Sequence, residues 1–288
     1  MRTNFAVIFV ASTVIACAGD KAGKVAAGST VVAAAVAAAP QIITITARDC
    51  AYDAPDTVSA GMVTIKLVNQ GPDFHHVQLM HLTDGKTVAD FEAGLKVMKP
   101  GSPPPPWAHE VAGPNTPVPG GEQSIMQQLE PGNYVMVCFI PGADGVPHVM
   151  KGMIRPLTVI PATTAAALAP TADVSVMMTD YAWKITPEIT AGKHIIKIEN
   201  AAEQSHEMVI AMLAPGKTPA DLARWLEKQV GPPPGKPIGG ISGMGKGAVV
   251  YLPVDLESGE YGILCFLPDA KDGKPHVAHG MLRQISVK

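Results

Sequence analysis

The chain has 288 residues, 47% of them hydrophobic, 16% charged and 5% aromatic, with 28 glycines and 27 prolines. That apolar content excludes wholesale disorder, and the length suits about two average domains. A net charge of −3 without a long basic run excludes an electrostatic nucleic-acid binder.

The first residues read as an address. Arg2 is the only charge before Asp20, and Phe5 to Ile15 form a short apolar stretch of signal-peptide type, too short to span a bilayer. Val14-Ile15-Ala16-Cys17 resembles the lipobox of bacterial lipoproteins, which implies acylation of Cys17 after removal of residues 1–16. Ordinary secretion, with cleavage around Ala16-Cys17-Ala18, is the alternative. Residues 17–40, rich in Ala, Val, Gly, Ser and Thr, read as a tether. The expected location is extracytoplasmic, in the periplasm or at the cell surface, with a lipid anchor in the membrane.

Everything after the tether is written twice. Asp49, Ala60-Gly61, Lys66, Asn69, His75 and Gly85-Lys86-Thr87 recur 131 residues later, as Asp180, Ala191-Gly192, Lys197, Asn200, His206 and Gly216-Lys217-Thr218. Further on the offset is 127, pairing Leu129-Glu130, Tyr134 and Cys138 with Leu256-Glu257, Tyr261 and Cys265. Two homologous domains, 41–160 and 172–288, are expected on either side of a linker, 161–171. The linker is rich in Pro, Ala and Thr, which commits little sequence to welding the domains, and each is expected to fold alone.

Within each copy, alternation in Val63 to Leu67 and apolar runs at Tyr134 to Phe139 and Tyr261 to Phe266 predict half-buried and buried strands. One helix interrupts each copy. Thr218-Pro219-Ala220-Asp221 offers an N-cap, proline at the first helical position and an acid in the first turn, predicting a helix to about Val230. Thr87 to Met98 repeats the design. The expected fold is all-β: two tandem Greek-key β-sandwiches, each with one inserted helix.

The chemistry lies at the end of each copy. Cys138 is followed after nine residues by His148 and then, after four, by Met153; Cys265 is followed after ten by His276 and then, after four, by Met281. His75 and His206 lie upstream, each just after a predicted strand. A thiolate, two imidazoles and a thioether suit a blue-copper site, a trigonal His2Cys plane with a weak axial Met. These tracts, with Pro-His-x-x-x-Gly-Met at Pro147 to Met153 and Pro275 to Met281, resemble the cupredoxin or type 1 copper family. The resemblance implies a Greek-key sandwich, two bound copper ions and one-electron transfer. Its ligands carry over to His75, Cys138, His148 and Met153, and to His206, Cys265, His276 and Met281.

There are departures. Many family members have asparagine directly after the first histidine, where this chain has His76 and Glu207; that bears on the bond tying the two ligand loops together. The duplication acts as an internal control. Four of nine histidines fall at paired ligand positions, while His76, His81, His109, His194 and His279 face other residue types. Met150 faces Ala278, and Cys50 faces Tyr181, which makes Cys50 an expected buried thiol outside the site. Tandem cupredoxin enzymes place histidines beside the type 1 cysteine. Here the neighbours are Val137 and Phe139, and Leu264 and Phe266, so no catalysis is expected. The expected partners are a redox protein donor or acceptor. Copper delivery to an acceptor protein, and a metal-free binding module, are the alternatives.

Overall fold

The computed structural model describes residues 39–288, apart from 100, 166 and 229. The expected signal peptide, the acylation site Cys17 and nearly all of the tether lie outside the described residues. Among the described residues no helix is long and apolar enough to cross a membrane.

The first half comprises β1 (Gln41–Arg48), β2 (Ala51–Asp53), β3 (Thr57–Ser59), β4 (Gly61–Asn69), β5 (Gln78–Leu82), α1 (Val88–Val97), β6 (Ala108–Val111), β7 (Glu122–Leu129), β8 (Gly132–Val137) and β9 (Ile154–Ile160). The second half comprises β10 (Val174–Thr179), β11 (Ala182–Thr186), β12 (Gly192–Asn200), β13 (His206–Leu213), α2 (Pro219–Lys228), β14 (Gly235–Met244), β15 (Val249–Leu256), β16 (Gly259–Leu264) and β17 (Leu282–Val287). In the first sandwich β2-β1-β4-β7 faces β3-β9-β8-β5-β6; in the second β11-β10-β12-β15 faces β14-β13-β16-β17.

Alternation decides which side chains enter the core. Ile43, Ile45 and Ala47 of β1 are buried, as are Val63, Ile65 and Leu67 of β4, while the intervening residues are partly or fully exposed. Burying each such Ile, Val or Leu contributes about 1.5–3 kcal/mol. Tyr134 and Tyr261 donate from their hydroxyls to the carbonyls of Glu130 and Glu257, at 2.9 and 3.0 Å, pinning the turn before β8 and β16 in each copy.

The helices follow their caps. Thr87 Oγ1 accepts from the Asp90 N–H at 3.2 Å and the Thr87 N–H donates to Asp90 Oδ2 at 2.9 Å; Thr218 and Asp221 repeat both bonds. Phe91 buries the inner face of α1 against Met80, Leu82 and Trp107, and Leu222 does so for α2 against Ala211 and Leu264.

The weak weld expected from the linker is corrected by the structure. β7 and β15 pair antiparallel, Gln127 with Val250 and Met126 with Tyr251, so one sheet of eight strands runs through both halves. Ser242 adds a buried cross-link, donating to the Val77 carbonyl at 2.9 Å and accepting from the Gly113 N–H at 2.7 Å. The contact is made by strand edges and loops. A linker's composition says nothing about such edges.

Candidate metal centres

Strand pairing delivers the donors to one end of each sandwich. β5 and β8 are neighbours, with Gln78 opposite Val137, so the loop carrying His75 and the residue after β8, Cys138, emerge together. β8 also pairs with β9, Val137 opposite Ile154, which sets Cys138 beside Met153; the Cys138 N–H donates to the Met153 carbonyl at 3.3 Å. In the second half β13 pairs with both β14 and β16, and the Cys265 N–H donates to the Met281 carbonyl at 3.2 Å.

The loop between cysteine and methionine folds back through a single 3-10 turn, His148–Lys151 in one copy and His276–His279 in the other. The Val149 N–H donates to the Cys138 carbonyl at 2.8 Å and the Met153 N–H to the His148 carbonyl at 3.0 Å; Val277 and Met281 repeat the pattern at 2.9 and 3.0 Å. Each turn ends on a glycine, Gly152 at φ 97° and Gly280 at φ 89°, in the left-handed region that strains other residues. The Gly before each Met in the sequence motif has this reason.

His75, Cys138 and His148 form one group of possible metal donors, and His206, Cys265 and His276 another; within each, every donor atom lies within 4.8 Å of the others. Cys138 Sγ is 3.6 Å from His148 Nδ1, Cys265 Sγ is 3.3 Å from His276 Nδ1 and 3.9 Å from His206 Nδ1, and the two Nδ1 atoms of His206 and His276 are 3.1 Å apart. A first-row ion bonded at about 2.0 Å to nitrogen and about 2.3 Å to sulfur in a trigonal plane needs its donors about 3.5–3.8 Å apart. The spacing fits. None of these six residues is more than 1% exposed, and Met153 and Met281 are fully buried.

The nitrogens themselves point to an ion. Both ring nitrogens of His75 are buried without a hydrogen-bond partner, an arrangement native interiors otherwise avoid. In the other group Nδ1 of His276 faces Cys265 Sγ and His206, while its Nε2, on the far side of the ring, lies 3.8 Å from Asp269 Oδ2. Burial, reinforced by the neighbouring His148, lowers the pKa of His75 to about 4; burial and His206 do the same for His276. His148 and His206 are also lowered, chiefly by burial. All four are therefore neutral near pH 7, the form that ligates. Burial raises Cys138 to about 11 and pushes Cys265 well above its ordinary value, so each thiolate needs a cation beside it. The donor set of two imidazoles, a thiolate and a nearby thioether suits copper.

The residues after the first histidines keep the loop-to-loop bond that their departure from asparagine brought into question. The Phe139 N–H donates to His76 Nε2 at 3.0 Å, and the Phe266 N–H donates to Glu207 Oε1 at 2.8 Å. An imidazole nitrogen and a carboxylate oxygen each accept where an amide oxygen would. The outer shell also holds Asp180, whose Oδ1 lies 3.3 Å from His206 Nε2, and Tyr181, whose ring lies edge-on to His276 at 5.6 Å while its hydroxyl binds Asp269. The recurrence of Asp49 as Asp180 was the one sign of these in the sequence. Cys50, expected to be buried, is half-buried: it sits at φ 53° in the β1–β2 turn, packed against the edge of the core.

No protein-family model matches the chain, and neither does any curated protein. Among solved structures it is similar to the dithionite-reduced auracyanin of the photosynthetic bacterium Roseiflexus castenholzii, with 24% identity over 43% of this chain and 100% of that one, at a TM-score of 0.31. It is also similar to the blue copper protein auracyanin A of Chloroflexus aurantiacus (22%, 42% and 100%, TM-score 0.30). The copper-containing nitrite reductase of Thermus scotoductus SA-01 is a third, at 13% identity over 87% of this chain and 62% of that chain, TM-score 0.25. The strand order, the paired tyrosines and the Cys–His–Met loops described above carry the fold assignment by themselves. The chain holds two cupredoxin-like β-sandwiches in tandem, each with a buried His–Cys–His group at one end.

Proposed function

We propose that the protein is an exported, membrane-tethered electron carrier with two type 1 copper sites. The observation that carries this reading is the buried His–Cys–His group recurring at the same end of both sandwiches, with both ring nitrogens of His75 left without protein partners. Bound copper would supply a one-electron couple. His75, Cys138 and His148, with Met153, would hold it in one half, and His206, Cys265 and His276, with Met281, in the other. Burial keeps the imidazoles unprotonated, and both cysteines surrender a proton on metal binding. The 3-10 turns fix the second histidine, so the donors move little when the charge changes.

Each cysteine has an apolar neighbour on either side, which favours carriage over turnover of a small molecule. Acylation of Cys17 would hold the protein at a membrane, where a redox protein is the expected partner. Copper delivery is a second reading, favoured by Met150, whose side chain is 53% exposed two residues after His148 and could pass an ion outward.

The test is to load the full chain with copper, record its reversible reduction, and follow oxygen and nitrite with a reductant present. Reversible one-electron waves without steady consumption support the proposal. Sustained turnover of either molecule overturns the carrier reading.

A further inference from the structure

His76 and Glu207 serve different metal groups, yet one loop at the seam between the halves joins the backbone beside the first to the side chain of the second. Asn115, 1% exposed in the loop between β6 and β7, donates from Nδ2 to Glu207 Oε2 at 3.1 Å and to the Ile241 carbonyl at 3.1 Å. The backbone joins it to the His76 side, because the Val77 N–H, next to His76, donates to the carbonyl of Pro114, next to Asn115, at 3.0 Å. His76 Nε2 takes the Phe139 N–H, beside Cys138, and Glu207 Oε1 takes the Phe266 N–H, beside Cys265. A continuous chain of covalent and hydrogen bonds therefore runs from one cysteine to the other through buried atoms.

This link is particular to Asn115. At the 127-residue offset its counterpart is Ser242, and the seam is locally two-fold: the Asn115 N–H donates to the Gly240 carbonyl at 3.1 Å, and the Ser242 N–H to the Gly113 carbonyl at 2.9 Å. The side chains break the symmetry. Ser242 Oγ, one atom shorter in reach, stops at the Val77 carbonyl and the Gly113 N–H. Of the two, only the Asn115 side chain reaches the outer shell of the other half's group.

We infer that Asn115 couples the two metal sites, so that an electron entering at one passes to the other inside a single chain. Tunnelling decays less steeply along covalent and hydrogen bonds than across van der Waals gaps, and this route crosses no solvent. One site is oxidised by one electron and the other reduced by one; no bond breaks and no proton leaves. The inference rests on both groups holding copper, and it makes the protein a two-stop relay between a donor and an acceptor.

The experiment uses the full copper-loaded chain. Brief photoreduction supplies less than one electron per protein, and freeze-quenched paramagnetic resonance follows each site, with reference spectra from Cys138→Ser and Cys265→Ser. The expected result is a redistribution phase independent of protein concentration, absent from both single-site variants. Asn115→Leu should slow it several-fold or abolish it while copper content holds, at a melting temperature lowered by the buried hydrogen bonds it loses. Glu207→Gln, which turns the acceptor facing Asn115 Nδ2 into a donor but can keep the Phe266 bond, should slow it likewise. An unchanged rate in both variants, or no such phase in a protein holding two coppers, overturns the coupling alone. A chain that binds no copper overturns the carrier reading, and the coupling with it.

Discussion

The backbone N–H of Phe139 donates to Nε2 of His76 at 3.0 Å, tying the residue after Cys138 to the residue after His75. That bond fixes two loops from different strands at the separation the donors need. His76→Leu leaves the N–H without its acceptor, which costs about 1–3 kcal/mol where the amide is buried. Loss of such outer-shell support lowers metal affinity by about 10–100-fold. Competition titration with a copper chelator should show this loss at the first site, with the second site holding its affinity in the same variant.

The two sites differ by a methyl group beside the first histidine. A Cβ on Gly71 would sit 2.6 Å from His75 Nε2, so the His75 ring occupies space that Ala202 fills in the other half. There His206 Nε2 instead faces Asp180. Gly71→Ala should push the His75 ring toward Asp49, the counterpart of Asp180, with copper retained and the first site's spectrum shifted toward that of the second. Spectra recorded in a Cys265→Ser background isolate the first site. Loss of copper there would show that Gly71 is required for ligation.

Metal-free protein should lose stability in acid. His75 and His276 titrate near 4 and His76 near 3 when folded, all depressed from 6.5 by burial. As pH falls below 6.5 the unfolded chain takes up these protons first, so stability present above 6.5 drains away down to about pH 4. Glu207 acts in the opposite sense, because burial raises it from 4.5 to about 7 and its ionisation favours unfolding as pH rises through that range. Three histidines outweigh one carboxylate, so the net slope is a loss toward acid. Urea unfolding from pH 4 to 7 measures it, and Glu207→Gln should steepen it. A flat profile would contradict the burial of the histidines.

Much of this was legible because the chain repeats itself. A single Cys-x9-His-x4-Met tract is weak, but its return at Cys265, His276 and Met281 separates ligand positions from bystanders such as His81 and Met150. The Thr87 and Thr218 caps were readable for a local reason: the bonds they make lie within four residues. What stayed hidden depends on distant partners. His76 and Glu207 read as departures, since only the fold shows that their acceptor atoms reach the Phe139 and Phe266 amides. The seam was hidden for the same reason. β7 and β15 alternate as any half-buried strand does, and alternation is silent on whether the neighbouring strand belongs to the same copy.

The central claim is that two buried His–Cys–His groups each hold one copper ion. Its most direct test is metal analysis of the full chain together with its visible spectrum, repeated for Cys138→Ser, Cys265→Ser and the double variant. The account predicts about two coppers per chain with an intense thiolate-to-copper absorption, one copper in each single variant, and neither colour nor type 1 copper in the double variant. Colour that survives in the double variant, or an unsubstituted chain that takes up no copper, would contradict it.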